Sequence, residues 1–127
     1  MSHHRFALRH RLKFKAEFDL IRAQGRKAVS SAFVLYLYKT ARTAEDPSSP
    51  LRRLGVIASR RVGNAVHRNR AKRLLREIFR LNPDALPLHC DVLLIARQRI
   101  FGYSFSQLQA SYLKHCRHLQ RSSKRHP

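Results

Sequence analysis

The chain has 127 residues, the length of one domain, with 27 Lys and Arg against 7 Asp and Glu and a formal net charge of +20. That excess cannot be neutralised internally, and a compact domain carrying it repels itself unless a polyanion, nucleic acid above all, shares its surface. No run of about 18 apolar residues and no apolar signal stretch occurs, and Cys90 and Cys116 are too few and too far apart for a secreted disulfide framework, so a soluble cytoplasmic protein with reduced thiols is expected.

Residues 1–13 are polar and basic without a clear period, and the other end is similar. A single nucleic-acid-binding domain with a core over about 12–121 and basic tails at 1–11 and 122–127 is expected. Phe14, Phe18 and Ile21 recur at helical spacing, which predicts a first helix over 14–24, and Gly25 stands where a left-handed helix stop is expected. Residues 29–38 are β-branched and aromatic. As one strand they put Phe33, Leu35 and Leu37 on one face and Val34, Tyr36 and Tyr38 on the other. Glu45, Asp46, Pro47, Ser48, Ser49 and Pro50 read as a loop. The chain then returns as a strand over 51–59, with Leu54, Val56 and Ala58 alternating against Gly55, Ile57 and Ser59.

Asn64 is placed to cap a helix running from 65 to about 81, where Asn82 and Pro83 stop it. Residues 91–97 read as a short buried strand. Ser104 opens the last helix with Gln107 as its capping-box partner. Tyr103 is expected to staple onto Leu108, and Phe105, Leu108, Tyr112, Cys116 and Leu119 keep one apolar face. The order α-β-β(-β)-α-β-α predicts an α+β domain with helices packed on a small mixed sheet.

Residues 60–80 read RRVGNAVHRNRAKRLLREIFR. At about 100° per residue, Ala71, Leu74, Leu75, Ile78 and Phe79 fall on one side of the helix and Lys72, Arg73, Arg76 and Arg80 on the other. Arg60 and Arg61 lead into the helix. Arg68 and Arg70 sit in its first turns, where unpaired N–H groups add positive potential for a phosphate. The ordinary reading of a charge run is a solvated face. Such faces mix signs, however, and Glu77 is the only acid between Arg52 and Arg80, so a ridge without internal counterions is expected to meet a phosphate backbone.

The segment GNAVHRNRAKRLLRE, centred on Arg68-Asn69-Arg70, resembles the signature of the bacterial ribonuclease P protein subunit. LKFKAEFDLIRAQG, FVLYLY, RLGVIASRRVGNAV and DVLLIAR extend the resemblance over most of the chain. It implies an α+β fold with a left-handed βαβ crossover, similar to a ribosomal-protein domain, a handedness that periodicity does not reveal. It also implies two sites. Arg60, Arg61, Asn64, Arg68, Asn69, Arg70, Lys72, Arg73, Arg76 and Arg80 would bind the catalytic RNA. A cleft between the first helix and the sheet would take the 5′ leader of precursor tRNA, with Phe18 and Tyr36 as matching residues and Arg9, Arg11 and Lys13 as basic neighbours. Arg22 lies one turn after Phe18, where the family often carries a second aromatic, so a guanidinium replaces a ring. The implied reaction is endonucleolytic removal of the leader by the RNA and its magnesium ions, with no cofactor held by the protein.

Packing is the plain reading of Phe18. Tyr36 and Tyr38 alternate away from Phe33, Leu35 and Leu37, which can supply a core face alone, so that side of the strand is expected to serve as a stacking platform. A protein-based nuclease needs clustered carboxylates or a histidine pair, and the seven acids are scattered, so no catalytic side chain is assigned. His89, Cys90, His115, Cys116 and His118 lack zinc-ligand spacing. Membrane and DNA are not expected as partners, since a helix-turn-helix module needs a helix, not a strand and turn, before its basic helix. A structural ribosomal protein is the alternative that charge alone leaves open.

Overall fold

Phe33, Leu35 and Leu37 are buried while Val34, Tyr36 and Tyr38 between them are half-buried, and this alternation decides which face of the sheet meets which helix. The computed structural model describes residues 11, 12, 15–39 and 52–124. Arg9, Lys13, Phe14 and the expected loop at 43–50 lie outside them. The elements are α1 (Lys15–Gln24), β1 (Arg26–Val29), β2 (Phe33–Lys39), β3 (Arg52–Ile57), α2 (Ala65–Leu81), β4 (Cys90–Ala96) and α3 (Phe105–Lys124). Short 3₁₀ turns occupy Arg60–Val62, Pro83–Ala85 and Ile100–Gly102.

The strands lie in the order β1-β2-β4-β3. β2 pairs antiparallel with both β1 and β4, whereas β3 and β4 are parallel and joined through α2, so the sheet is mixed and the fold is α+β as expected. On one face Phe33, Leu35, Leu54, Val92 and Leu94 meet Ala71, Leu75 and Ile78 of α2 and Leu108, Tyr112 and Cys116 of α3. On the other face Leu93 meets Ile21 of α1 and Leu12, with Phe18, Tyr36, Tyr38, Ile57 and Ile95 at the margin. No described helix is long and apolar enough to cross a membrane.

Residues 29–38 are two strands rather than the one expected. Ser30 turns the chain between β1 and β2: its Oγ accepts the Ala32 and Phe33 N–H groups at 3.2 and 3.0 Å, and its own N–H donates to the Phe33 carbonyl at 2.9 Å. Gly25 does not take the left-handed conformation expected of it, for among the described residues only His89 and Gly63 have positive φ. A side chain there would place its Cβ 2.5 Å from the Ile21 carbonyl oxygen and 3.2 Å from that of Leu37, so the requirement is close approach between α1 and β2.

The expected caps are in place. Asn64 Oδ1 accepts the His67 N–H at 3.0 Å, and Asn82 closes α2 by donating its Nδ2–H to the Ile78 carbonyl at 2.8 Å. Ser104 Oγ accepts the Gln107 N–H at 3.1 Å while the Ser104 N–H donates to Gln107 Oε1 at 2.9 Å. Tyr103 is exposed, and its hydroxyl meets that of Ser31.

Candidate nucleic-acid interface

The α2 sequence divides by face as its period requires. Ala71, Leu75, Ile78 and Phe79 are buried, Arg73 is exposed, and Lys72 and Arg76 are half-buried. Burial, and secondarily the positive charge of Arg11, hold the Arg76 guanidinium below its ordinary pKa. Among the described residues Arg60, Arg61, Arg70, Lys72 and Arg73 make no ion pair.

Arg80 departs from the expected ridge. Its Nε and Nη2 donate to Glu77 Oε1 and Oε2 at 2.8 and 2.5 Å, and this hydrogen bonding holds the Glu77 carboxyl below its ordinary pKa. The lone acid of α2 is therefore paired with Arg80 rather than with Arg73, one turn before it. A part-exposed pair of this kind contributes little to stability.

The approach to α2 is a built turn. Arg60 and Arg61 stand exposed on a 3₁₀ turn that Ser59 caps, and Gly63 follows with φ 144°, a conformation L side chains rarely adopt. Arg68 reaches back so that its Nη1 donates to the Gly63 carbonyl at 3.0 Å. The Arg68-Asn69-Arg70 motif thus splits its duties: Arg68 braces the turn, while Asn69 and Arg70 face solvent. Asn64 is likewise occupied, as the cap of α2. Sequence reasoning missed Phe101, whose ring centroid lies 5.5 Å from the Arg70 guanidinium carbon and 5.8 Å from the His67 ring. About thirty residues of chain separate these groups, and no period links them.

Across the sheet the first helix is fixed by a network that the sequence did not announce. Arg53 of β3 donates from Nε and Nη2 to the two carboxylate oxygens of buried Asp91 on β4, at 3.0 and 2.9 Å, and its Nη1 lies 2.8 Å from Glu17 Oε2 on α1. Hydrogen bonding to Asp91, with the charges of both acids, raises the Arg53 pKa above its ordinary value against the opposing cost of burial. α1 is thereby clamped over the sheet.

Under that clamp Phe18 lies over Gly55. A Cβ at position 55 would come 2.5 Å from Phe18 Cε1, so the glycine is the slot that seats the ring. Tyr36 is half-buried, with Lys27 Nζ, on its cross-strand partner, 5.8 Å from the ring centroid. The expected open stacking platform is instead the half-exposed wall of a second small core, because α1 and Leu12 cover part of it. Arg22 is exposed on α1. Arg11 is exposed and bridges Leu54 at the free edge of β3, where the Leu12 N–H donates to the Leu54 carbonyl at 2.9 Å. Arg11 is also the charge felt by Arg76 of α2.

Cys90 and Cys116 are buried in the main core, and burial pushes the Cys116 thiol up to about 12. A thiol so disfavoured as thiolate is a packing group.

The family model described as Ribonuclease P matches residues 6–120. The ribonuclease P protein component of Gluconacetobacter diazotrophicus is 40% identical over 100 residues, covering 78% of this chain and 81% of that protein. That of Maridesulfovibrio salexigens is 37% identical over 93 residues, covering 73% and 71%. Among solved structures, the RNase P protein from Thermotoga maritima superposes with a TM-score of 0.70 at 29% identity, covering 87% of this chain and 96% of that one. The Staphylococcus aureus RNase P protein gives 0.67 at 30% identity, covering 91% and 95%. A structural ribosomal protein is not favoured by any of these likenesses. Fold, signature segment and relatives converge, and the chain belongs to the bacterial ribonuclease P protein family, the protein component of a ribonucleoprotein endoribonuclease.

Proposed function

We propose that the chain grips the ribonuclease P RNA with the exposed face of α2 and the Arg60–Arg61 turn, and guides the 5′ leader of precursor tRNA along the α1 side of the sheet. The observation that carries this reading is the placement of the acids. Glu17 and Asp91 pair with Arg53, Asp19 with Lys15 and Glu77 with Arg80, and among the described residues no ion pair reaches the cations at the start and middle of α2, which suits them to an external polyanion. Hydrolysis then belongs to the RNA and its magnesium ions, and the protein contributes position.

Lys72→Ala combined with Arg73→Ala is expected to weaken holoenzyme assembly and to lower the slope of log affinity against log salt by just under 2, about 0.9 for each phosphate that no longer meets a cation. Single-turnover cleavage at saturating protein should stay near the unsubstituted rate. A rate loss of several orders of magnitude there, with assembly intact, would mean that these side chains act on the reaction itself.

The leader assignment has its own test. A half-exposed tyrosine beside a lysine can stack an unpaired base, and removing such a stack costs about 1 to 3 kcal/mol. Tyr36→Ala should therefore weaken binding of a long-leader precursor by roughly 5- to 150-fold, with mature tRNA unaffected. Arg22→Ala and Arg11→Ala should follow with smaller losses. Equal weakening for precursor and mature tRNA would remove the leader from this face.

A further inference from the structure

The turn between β4 and α3 sets an apolar ring where the core does not need it. Ile100 is fully buried and anchors the 3₁₀ turn, but Phe101, the next residue, is 36% exposed and belongs to neither core cluster. Its contacts are instead polar-tipped groups of α2. The Arg70 guanidinium carbon stands 5.5 Å from the ring centroid, in cation–π range, and the His67 ring meets it edge-on at 5.8 Å and 64°.

His67 is held in turn by the helix cap. Asn64 Oδ1 accepts both the His67 backbone N–H at 3.0 Å and, at 2.8 Å, the ring Nδ1, which must therefore carry a proton. Nε2 has no partner among the described residues. Val66, one helical turn before Arg70 and so on the same face, is 73% exposed, and a side chain added at Gly102 would meet nothing within 4 Å. The patch thus combines exposed apolar groups, a cation at its margin and open space at its flank.

We propose that Phe101 and Arg70 form a stacking site for an unpaired base of the ribonuclease P RNA, separate from the phosphate-directed ridge of α2. The proposal rests on the RNA-binding reading above and adds a contact of a different chemistry to it. A nucleobase offers the flat π-face that an aromatic ring and a guanidinium plane both accept, and unpaired RNA is where such faces are exposed. His67 Nε2, at the edge of the stack, is placed for a hydrogen bond to the base or its sugar. A phosphate needs none of this ring surface.

The chain contains no tryptophan, so Phe101→Trp introduces a single emitter at the site. Titration with ribonuclease P RNA should quench its emission and protect it from acrylamide, saturating together with binding. Phe101→Ala should weaken RNA binding by roughly 5- to 150-fold while leaving the salt slope unchanged, because a stacked base releases no counterion. A slope lowered by about 0.9 would mean that the ring only positions Arg70 on a phosphate, and would overturn stacking. So would emission that stays unmoved at saturating RNA, or that changes with protein concentration in the absence of RNA, the mark of self-association. Should Phe101→Ala melt early, the tryptophan readout decides alone, since it keeps an aromatic ring in place. If the unsubstituted protein binds RNA steeply in salt while the emission of the Phe101→Trp variant stays silent, only the stacking site falls. If the unsubstituted protein fails to bind, the RNA-binding reading beneath it falls as well.

Discussion

Raising monovalent salt from about 50 to about 200 mM is expected to weaken the complex of this chain with ribonuclease P RNA by roughly 10³- to 10⁵-fold. The physical basis is counterion release, in which each phosphate met by a fixed cation frees a condensed ion, and the gain disappears as bulk salt rises. About six to ten such contacts give the stated range. Arg60, Arg61, Lys72, Arg73 and Arg76 approach the lower end of that number. Arg53, Lys15 and Arg80 do not belong in the sum, since each already faces a carboxylate at 2.9 Å or less. Affinity measured across a salt series reads the slope directly. A complex indifferent to salt would show that the unpaired cations of α2 are solvated rather than engaged.

The parts of the structure legible in the sequence are those where several local signals agree. α2 has an Asn cap, a helical apolar period and an Asn-Pro stop, and it runs over the residues expected. The capping box of α3 is of the same kind. β1 was hidden because Arg26 and Lys27 carry the polar composition of an edge strand, and Val29 reads continuously with β2 across the Ser30 turn. Gly25 and Gly55 were legible as glycines but not as slots, because what each one admits, a carbonyl pair or the Phe18 ring, arrives from another element. The same holds for the site. The cations of α2 follow from helical geometry, whereas Phe101 against Arg70, Arg11 beside Arg76 and the Arg53 clamp exist only once the chain is folded. Periodicity reports which way a side chain points, not what comes to meet it.

Replacing Arg53 by methionine is expected to destabilise the fold by about 3 kcal/mol, the lower end of the roughly 3 to 5 kcal/mol lost when one partner of a buried pair is removed. The lower end applies because the Arg53 side chain keeps 23% of its surface in contact with solvent, so water can partly replace it. The loss comes mostly from what is left behind. Asp91 sits on β4, between β2 and β3, and is the buried charged residue of the described core, so without the guanidinium its carboxylate remains in a low-dielectric setting that Met cannot relieve. Glu17 loses its ion pair with Arg53 at the same time. For a domain of this size the change corresponds to a fall of roughly 10 °C in melting temperature. The charge itself is the test of this account: Arg53→Met combined with Asp91→Leu removes the stranded carboxylate and should recover most of the loss, since apolar replacement of both partners is often close to neutral. Leader binding should not recover with it, because the Glu17 tether that holds α1 over Tyr36 is missing from both variants. A single substitution costing under about 1 kcal/mol, or a double variant no more stable than the single one, would show that the network is a solvated surface pair rather than the clamp on α1.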